Sequence, residues 1–223
     1  MDEGVRLMKS NFAFLNTHFP VLANFGALAE KYCYSDSNSC LIKLGMIGET
    51  IVNLMLTYDK IKIPAECKAV TKINILASQG LLTQDLVDIL HALRKTRNKA
   101  AHDGYESIKE GQSLLPMTHS LCEWFMQTYG DWQYENHKFV LPTEAEAKTI
   151  TIQDDKDAEE KLLADAERIA AAAKALAADE RRKRAFAAAS QRQKSEAETR
   201  YLIDEQLRKI GWQADTENLR YSK

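Results

Sequence analysis

Between Asn38 and Ile61 the chain reads NSCLIKLGMIGETIVNLMLTYDKI, and this run constrains the fold more than any other feature. Leu41, Leu44, Gly48, Ile51 and Met55 recur at helical spacing, and Glu49 is the only carboxylate between Lys43 and Asp59. A helix this apolar needs neighbours on most of its surface, so it is expected at the centre of a multi-helix bundle. Gly45 and Gly48 each cost about 1 kcal/mol relative to Ala in a helix interior, which places them where a neighbouring helix must approach closely. Ser35, Asp36 and Ser37 are all competent N-caps for its start.

The partners of that helix are readable in outline. After Pro64, ECKAVTKINILASQG reads as a shorter helix closed by Gly80. Thr83 precedes QDLVDILHALRKTRNKAAH, whose stripe Leu86, Leu90, Leu93 continues at helical spacing to Arg97 and Ala101, before Asp103 and Gly104 stop it. SIKEGQSLLPMTHSLCEWFMQTYG carries Leu114, Leu121, Trp124 and Phe125, and Pro116 within it predicts a kink or a late start. From Asp131 the pattern alternates: DWQYENHKFVLP and KTITIQ suggest two short extended segments. Beyond Asp154 the sequence is Ala-rich and charged, with acid-to-base pairs at i,i+4 such as Asp179 to Lys183 and Glu180 to Arg184, the signature of a long exposed helix. Leu162, Ile169 and Leu176 would support about three heptads of coiled coil there. Tyr201, Leu202, Leu207 and Ile210 then open a new amphipathic helix, read as the start of a further domain. The expectation is a mainly α protein: a helical bundle over 8–130, a linker with short extended segments over 131–153, a long charged helix over 154–191, and the first helix of an incomplete domain over 192–223.

Composition narrows the functional classes. Thirty basic residues against 32 acidic ones remove any global attraction to nucleic acid or to an anionic membrane, so such binding must be local. Cys33, Cys40, Cys67 and Cys122 form no CxxC pair and have no zinc-ligand spacing with His, which fits a reduced, cytoplasmic setting. No apolar run is expected to span a membrane, and MDEGVRLMKSNF is too polar for a signal peptide. No metal site is predicted, since His91 and His102 lie about three turns apart.

The chemistry-bearing stretch is ALRKTRNKAAHDGY. Arg97, on the apolar stripe, needs an anionic partner, and Glu49 is the acid that fits, so a buried Glu49–Arg97 ion pair joining two helices is expected. Asn98 and His102 share a face at i,i+4, whereas His102 stands about 140° around the helix from Arg97. On the bland reading, Lys99 and His102 are cations complementing the negative end of the helix beside the Asp103-Gly104 stop. The basic cluster Arg181, Arg182, Lys183, Arg184 either touches a phosphate backbone, as a possible DNA contact, or lies on a solvated helix face.

RNKAAH resembles the Arg-Asn-x3-His element of the HEPN superfamily of helical domains, many of which are metal-independent ribonucleases acting as dimers. That resemblance implies Arg97 at phosphate charge, His102 in acid–base chemistry, and Arg97, Asn98 and His102 as the catalytic candidates. A second resemblance spans nearly the whole chain. KSNFAFL, FGALAEKY, CLIKLGMIGE, LRKTRNKAAHD and AETRYLIDEQLRKIGWQADTENLRYSK occur in the order found in the N-terminal helical region of the restriction subunit of type I restriction-modification enzymes, where the last run leads into the nuclease domain. It implies a full-length ATP-dependent DNA translocase and endonuclease using ATP and Mg2+, assembled with methylation and specificity subunits and reaching DNA through that complex. The nuclease acids and the phosphate-binding loop of that family are absent from these 223 residues, so this stretch is expected to be non-catalytic, cofactor-free, and concerned with docking or scaffolding.

Overall fold

The computed structural model describes residues 10–150, 178–192, 196–209 and 211. Compact units divide at Arg192, into 1–192 and 193–223. In the first, a 3-10 turn (Asn11–Leu15) precedes α1 (Pro20–Tyr32), α2 (Ser37–Tyr58), α3 (Ala69–Ser78), α4 (Gln84–Asp103), α5 (Ile108–Tyr129), α6 (Glu144–Thr149) and α7 (Ala178–Gln191). The second contains α8 (Glu196–Lys209). The described residues are mainly helical and contain no strand.

The apolar run forms the hub. Asp36 supplies the N-cap of α2, its side chain accepting from the Ser39 amide, and α2 packs against α1, α3, α4 and α5. By length and composition α2 is apolar enough to cross a membrane, contrary to the expectation that no such run exists. Yet 67% of that window is buried inside the bundle, with Leu44, Ile47, Ile51, Leu54 and Met55 fully enclosed, so it serves as a core helix. Close approach is enabled by glycine. A Cβ on Gly45 would lie 2.2 Å from the Arg97 Cβ, and one on Gly48 would lie 3.2 Å from a Leu93 methyl. Gly26 in α1 plays the same part for Phe12, whose ring occupies the space a side chain would take.

The other helices follow their sequence signals, with informative exceptions. α4 ends at Gly104 in the left-handed region, φ 61°, where the Gly104 amide bonds back to the Lys99 carbonyl. α5 begins at Ile108, with Ser107 accepting from the Glu110 amide, and runs through Pro116, so there is no late start. Residues 131–142 carry no strand pairing; they lie as an irregular strap, fastened by Asn11 exchanging hydrogen bonds with Val140 and by Tyr34 donating to the Pro142 carbonyl. Lys148 and Thr149, expected in an extended segment, instead close α6, because Thr143 and Glu146 form a reciprocal capping box that starts a helix there.

The largest departure concerns 178–192. Rather than an exposed arm, α7 packs on α5, burying Ala185 and Ala188, while the Trp124 indole donates to the Ala185 carbonyl at 3.0 Å. The small alanine face that reads as a solvated helix is what lets two helices lie close together. Arg192 then inserts its guanidinium against Asp85, 2.6 Å away, with 2% of its side chain exposed. Most of the predicted long helix and its heptad positions Leu162, Ile169 and Leu176 lie outside the described residues. Within α8, Arg208 pairs with Glu205 at i,i+3.

Candidate functional site

A cavity of about 370 Å³ opens where α2, α4 and the start of α3 meet. Its apolar wall comes from Gly45, Gly48, Val52, Ile73 and Leu90; its polar groups are Lys68, Lys72, Arg94 and Arg97, with Asn53, Asn98 and a single acid, Glu49. The glycines place it: they bring α4 so close to α2 that the Arg97 stem lies flat on Gly45 and its head emerges at the mouth.

Arg97 and Glu49 meet there, Nη2 to Oε2 3.5 Å. The pair is not the buried one expected, since the two side chains are 37% and 45% exposed. Along the second half of α4 the buried face passes through Leu93, Thr96 and Ala100, while Ala101 is exposed, so Arg97 falls at the edge of the stripe rather than on it. Asn98 also lines the cavity; His102 does not, and stands exposed in the last turn of α4. The structure thus brings together Arg97 and Asn98 but leaves the imidazole outside. The end of α4 is secured instead by Asn38, which donates to the Ala100 and Tyr105 carbonyls.

Periodicity alone missed Lys68, Lys72, Arg94 and Asn53. They come from three elements, and only the tertiary fold gathers them. Lys72 Nζ donates to Asn53 Oδ1 at 2.9 Å, which fixes that side chain across the α2–α3 seam. Arg94, one turn before Arg97 and Asn98, was legible as an i,i+3/i+4 neighbour. The Nε atoms of Arg94 and Arg97 are both buried with no acceptor.

The basic cluster of α7, which the sequence offers as a possible DNA contact or a solvated face, is largely engaged in contacts within the fold, while Arg182 and Lys183 still reach solvent. Arg181 pairs with Asp59 at 3.3 Å, lies over the Tyr129 ring and donates to the Thr128 carbonyl; its side chain is only 12% exposed. Arg182 donates to the Gln79 carbonyl at the C-terminal end of α3, where a cation complements the helix dipole, and pairs with Asp179. Arg184 pairs with Glu180 and sits over Trp132. Lys183 is the exposed member.

A second polar cluster lies beneath the strap. His119 and Glu123 approach to 3.6 Å on α5, and Glu123 accepts from the His137 amide at 2.6 Å and from the Tyr134 hydroxyl at 3.4 Å. Burial drives the His119 imidazole down to about 4 and the Glu123 carboxyl up to about 7. His119 is therefore neutral at neutral pH, and its contact with Glu123 is not an ion pair. Aromatic rings from Phe12, Phe14 and Phe139 surround it, so the cluster ties the strap to the core rather than opening to substrate. Among the described residues, no group of three or more His, Cys, Asp and Glu converges as metal ligands would.

An all-helical bundle carrying a one-acid, four-base cleft defines the structural class. The family model for a domain of unknown function, DUF4145, matches residues 28–155, more than half of the chain, and the chain belongs to that family. The chain is also similar to the type I restriction enzyme EcoKI endonuclease subunit of Escherichia coli (strain K12), 27% identical over 96% of this chain. It spans only 23% of the length of that relative. No solved structure matches it.

Proposed function

We propose that this chain is a non-catalytic helical module of a type I restriction enzyme, docking or spacing the restriction subunit against its methylation and specificity subunits. One observation carries this reading: the likeness to the EcoKI endonuclease subunit runs from end to end of this chain while covering under a quarter of that subunit. In this reading ATP and Mg2+ serve other parts of the whole enzyme, DNA is met through the complex, the setting is cytoplasmic, and 192–223 leads toward a nuclease domain. The anchorage of residues 178–192 supports a scaffold role, because Arg181, Arg182 and Arg192 are engaged with Asp59, Asp85 and helix carbonyls. Mixing the purified chain with the methylation and specificity subunits of its own system should give co-elution in size-exclusion chromatography; separate elution at micromolar concentrations refutes docking.

A second reading rests on the cleft: a HEPN-type ribonuclease, with Arg97 and Asn98 at the cavity and His102 one turn further on. It needs a partner copy to complete the centre, and Arg97 to leave Glu49. Degradation of RNA by the purified chain, lost in both Arg97→Ala and His102→Ala, would establish it; an inactive parent removes it.

A further inference from the structure

We infer that the α2–α3–α4 cleft is a binding site for a small phosphorylated molecule with an apolar body. Three features of the cleft call for an anion. Four basic residues line it against one acid, and Glu49 is engaged at the mouth with Arg97. The buried Nε donors of Arg94 and Arg97 have no acceptor, and a buried donor without a partner is costly unless something supplies one. The N-terminus of α3 also opens here: Lys68, Ala69 and Val70 line the cavity, the Lys68 cap position makes no side-chain hydrogen bond, and the first turn holds no acid. Such an end presents free amides and a partial positive charge to whatever occupies the space.

The same geometry narrows the ligand. Three uncompensated positive charges favour a dianionic group over a single carboxylate, and the guanidinium fork suits phosphate oxygens. Val52, Ile73 and Leu90 give the cleft an apolar share of its lining, which fits an uncharged hydrophobic or flat body beside the phosphate. A cavity of about 370 Å³ has room for one compact molecule and lies in the range usual for small-ligand sites. This site does not rest on the docking reading, and it uses neither His102 nor any cleavage step.

The test is an amide-resolved NMR titration of the whole 223-residue chain with phenyl phosphate, inorganic phosphate and benzoate. Saturable shifts at the Ala69 and Val70 amides are expected, strongest with phenyl phosphate, weaker with phosphate, which lacks the apolar body, and weakest with benzoate, which has one charge. Arg94→Met keeps the aliphatic stem and removes the donors; it should weaken phenyl phosphate binding by about tenfold or more. Lys68→Met, at an exposed position, gives a second variant with an intact core and should weaken binding in the same direction. Non-saturating shifts scattered over surface lysines, benzoate binding as tightly as phenyl phosphate, or unchanged affinity in both variants would overturn the proposal.

Discussion

Replacing Gly45 with alanine tests whether the α2–α4 crossing is held as tightly as the structure requires. The new Cβ would stand 2.2 Å from the Cβ of Arg97, 2.7 Å from its Cγ and 3.0 Å from its Cδ. Carbon atoms settle at about 3.5–4.0 Å, so the helices must part by roughly 1.5 Å at this point. The obstacle is the root of a side chain, which no rotamer change can move. Parting the helices also loosens Leu90 and Leu93 against Gly48 next along the crossing. Overpacking of this kind costs about 1–3 kcal/mol or more, and the gain in helix propensity returns only about 1 kcal/mol. A Cβ facing the root of a side chain calls for the upper end of that range, so a net destabilisation of about 2 kcal/mol is expected, lowering the urea midpoint by roughly 1 M. Gly48→Ala is the control. Its nearest obstacle is a Leu93 methyl at 3.2 Å, the far end of a flexible side chain, so its change should stay within about 1 kcal/mol. Because the closest atom to Gly45 is the Arg97 Cβ, Arg97→Ala should fail to rescue Gly45→Ala, whereas Arg97→Gly should relieve much of the clash. Equal effects at the two glycines, or rescue by Arg97→Ala, would refute the reasoning.

Other consequences follow from the same contacts. Asp85→Ala strips an acid from a guanidinium whose side chain is 2% exposed and should cost about 3 kcal/mol by chemical denaturation, whereas Glu49→Gln, at a half-exposed pair, should cost less than about 1 kcal/mol. Trp124→Phe removes the donor to the Ala185 carbonyl and should release α7, seen as faster proteolysis near residues 178–192 before any loss of the bundle. The folded Glu123 carboxyl titrates near 7, above its ordinary 4.5, so its contribution to stability is complete below about 4.5 and is lost as pH rises through 7. Glu123→Gln should therefore flatten stability between pH 5 and 8 and be the more stable form at pH 8, by roughly 2–3 kcal/mol. His119, depressed from 6.5 to about 4, has the opposite sign: its contribution is full above 6.5 and is lost as pH falls through 4. His119→Phe should reduce the loss of stability on the acid side, and unchanged pH profiles in both variants would count against the buried cluster.

Local signals in the sequence were enough for the helical class, for α2 as the hub, for its glycines as points of close approach, and for the stop at Gly104. Each depends on residues within a few turns of one another: apolar spacing at i,i+3 and i,i+4, a missing Cβ, a left-handed cap. The charged segments misled because a charge pattern does not reveal which face a neighbour will cover. Arg181 and Arg192 look like a solvated surface, yet α7 lies on α5 through Ala185 and Ala188, and their guanidinium groups find Asp59 and Asp85 more than a hundred residues away in the chain. The strap over 131–142 alternates like a strand but finds no strand to pair with, and Glu123, Gln127 and Asn11 take up its backbone groups instead.

Arg97 marks the boundary most clearly. Its sequence position names it as a cation on an apolar stripe that must find an acid, and Glu49 is that acid, but the structure sets Arg97 at the edge of the stripe. Whether the pair is sealed in the core or stands at the mouth of a cleft depends on how far α4 rolls against α2, and that follows from packing over Gly45 and Gly48. The cleft itself has no sequence signature, because Lys68, Lys72, Arg94 and Asn53 converge only when three helices are brought together.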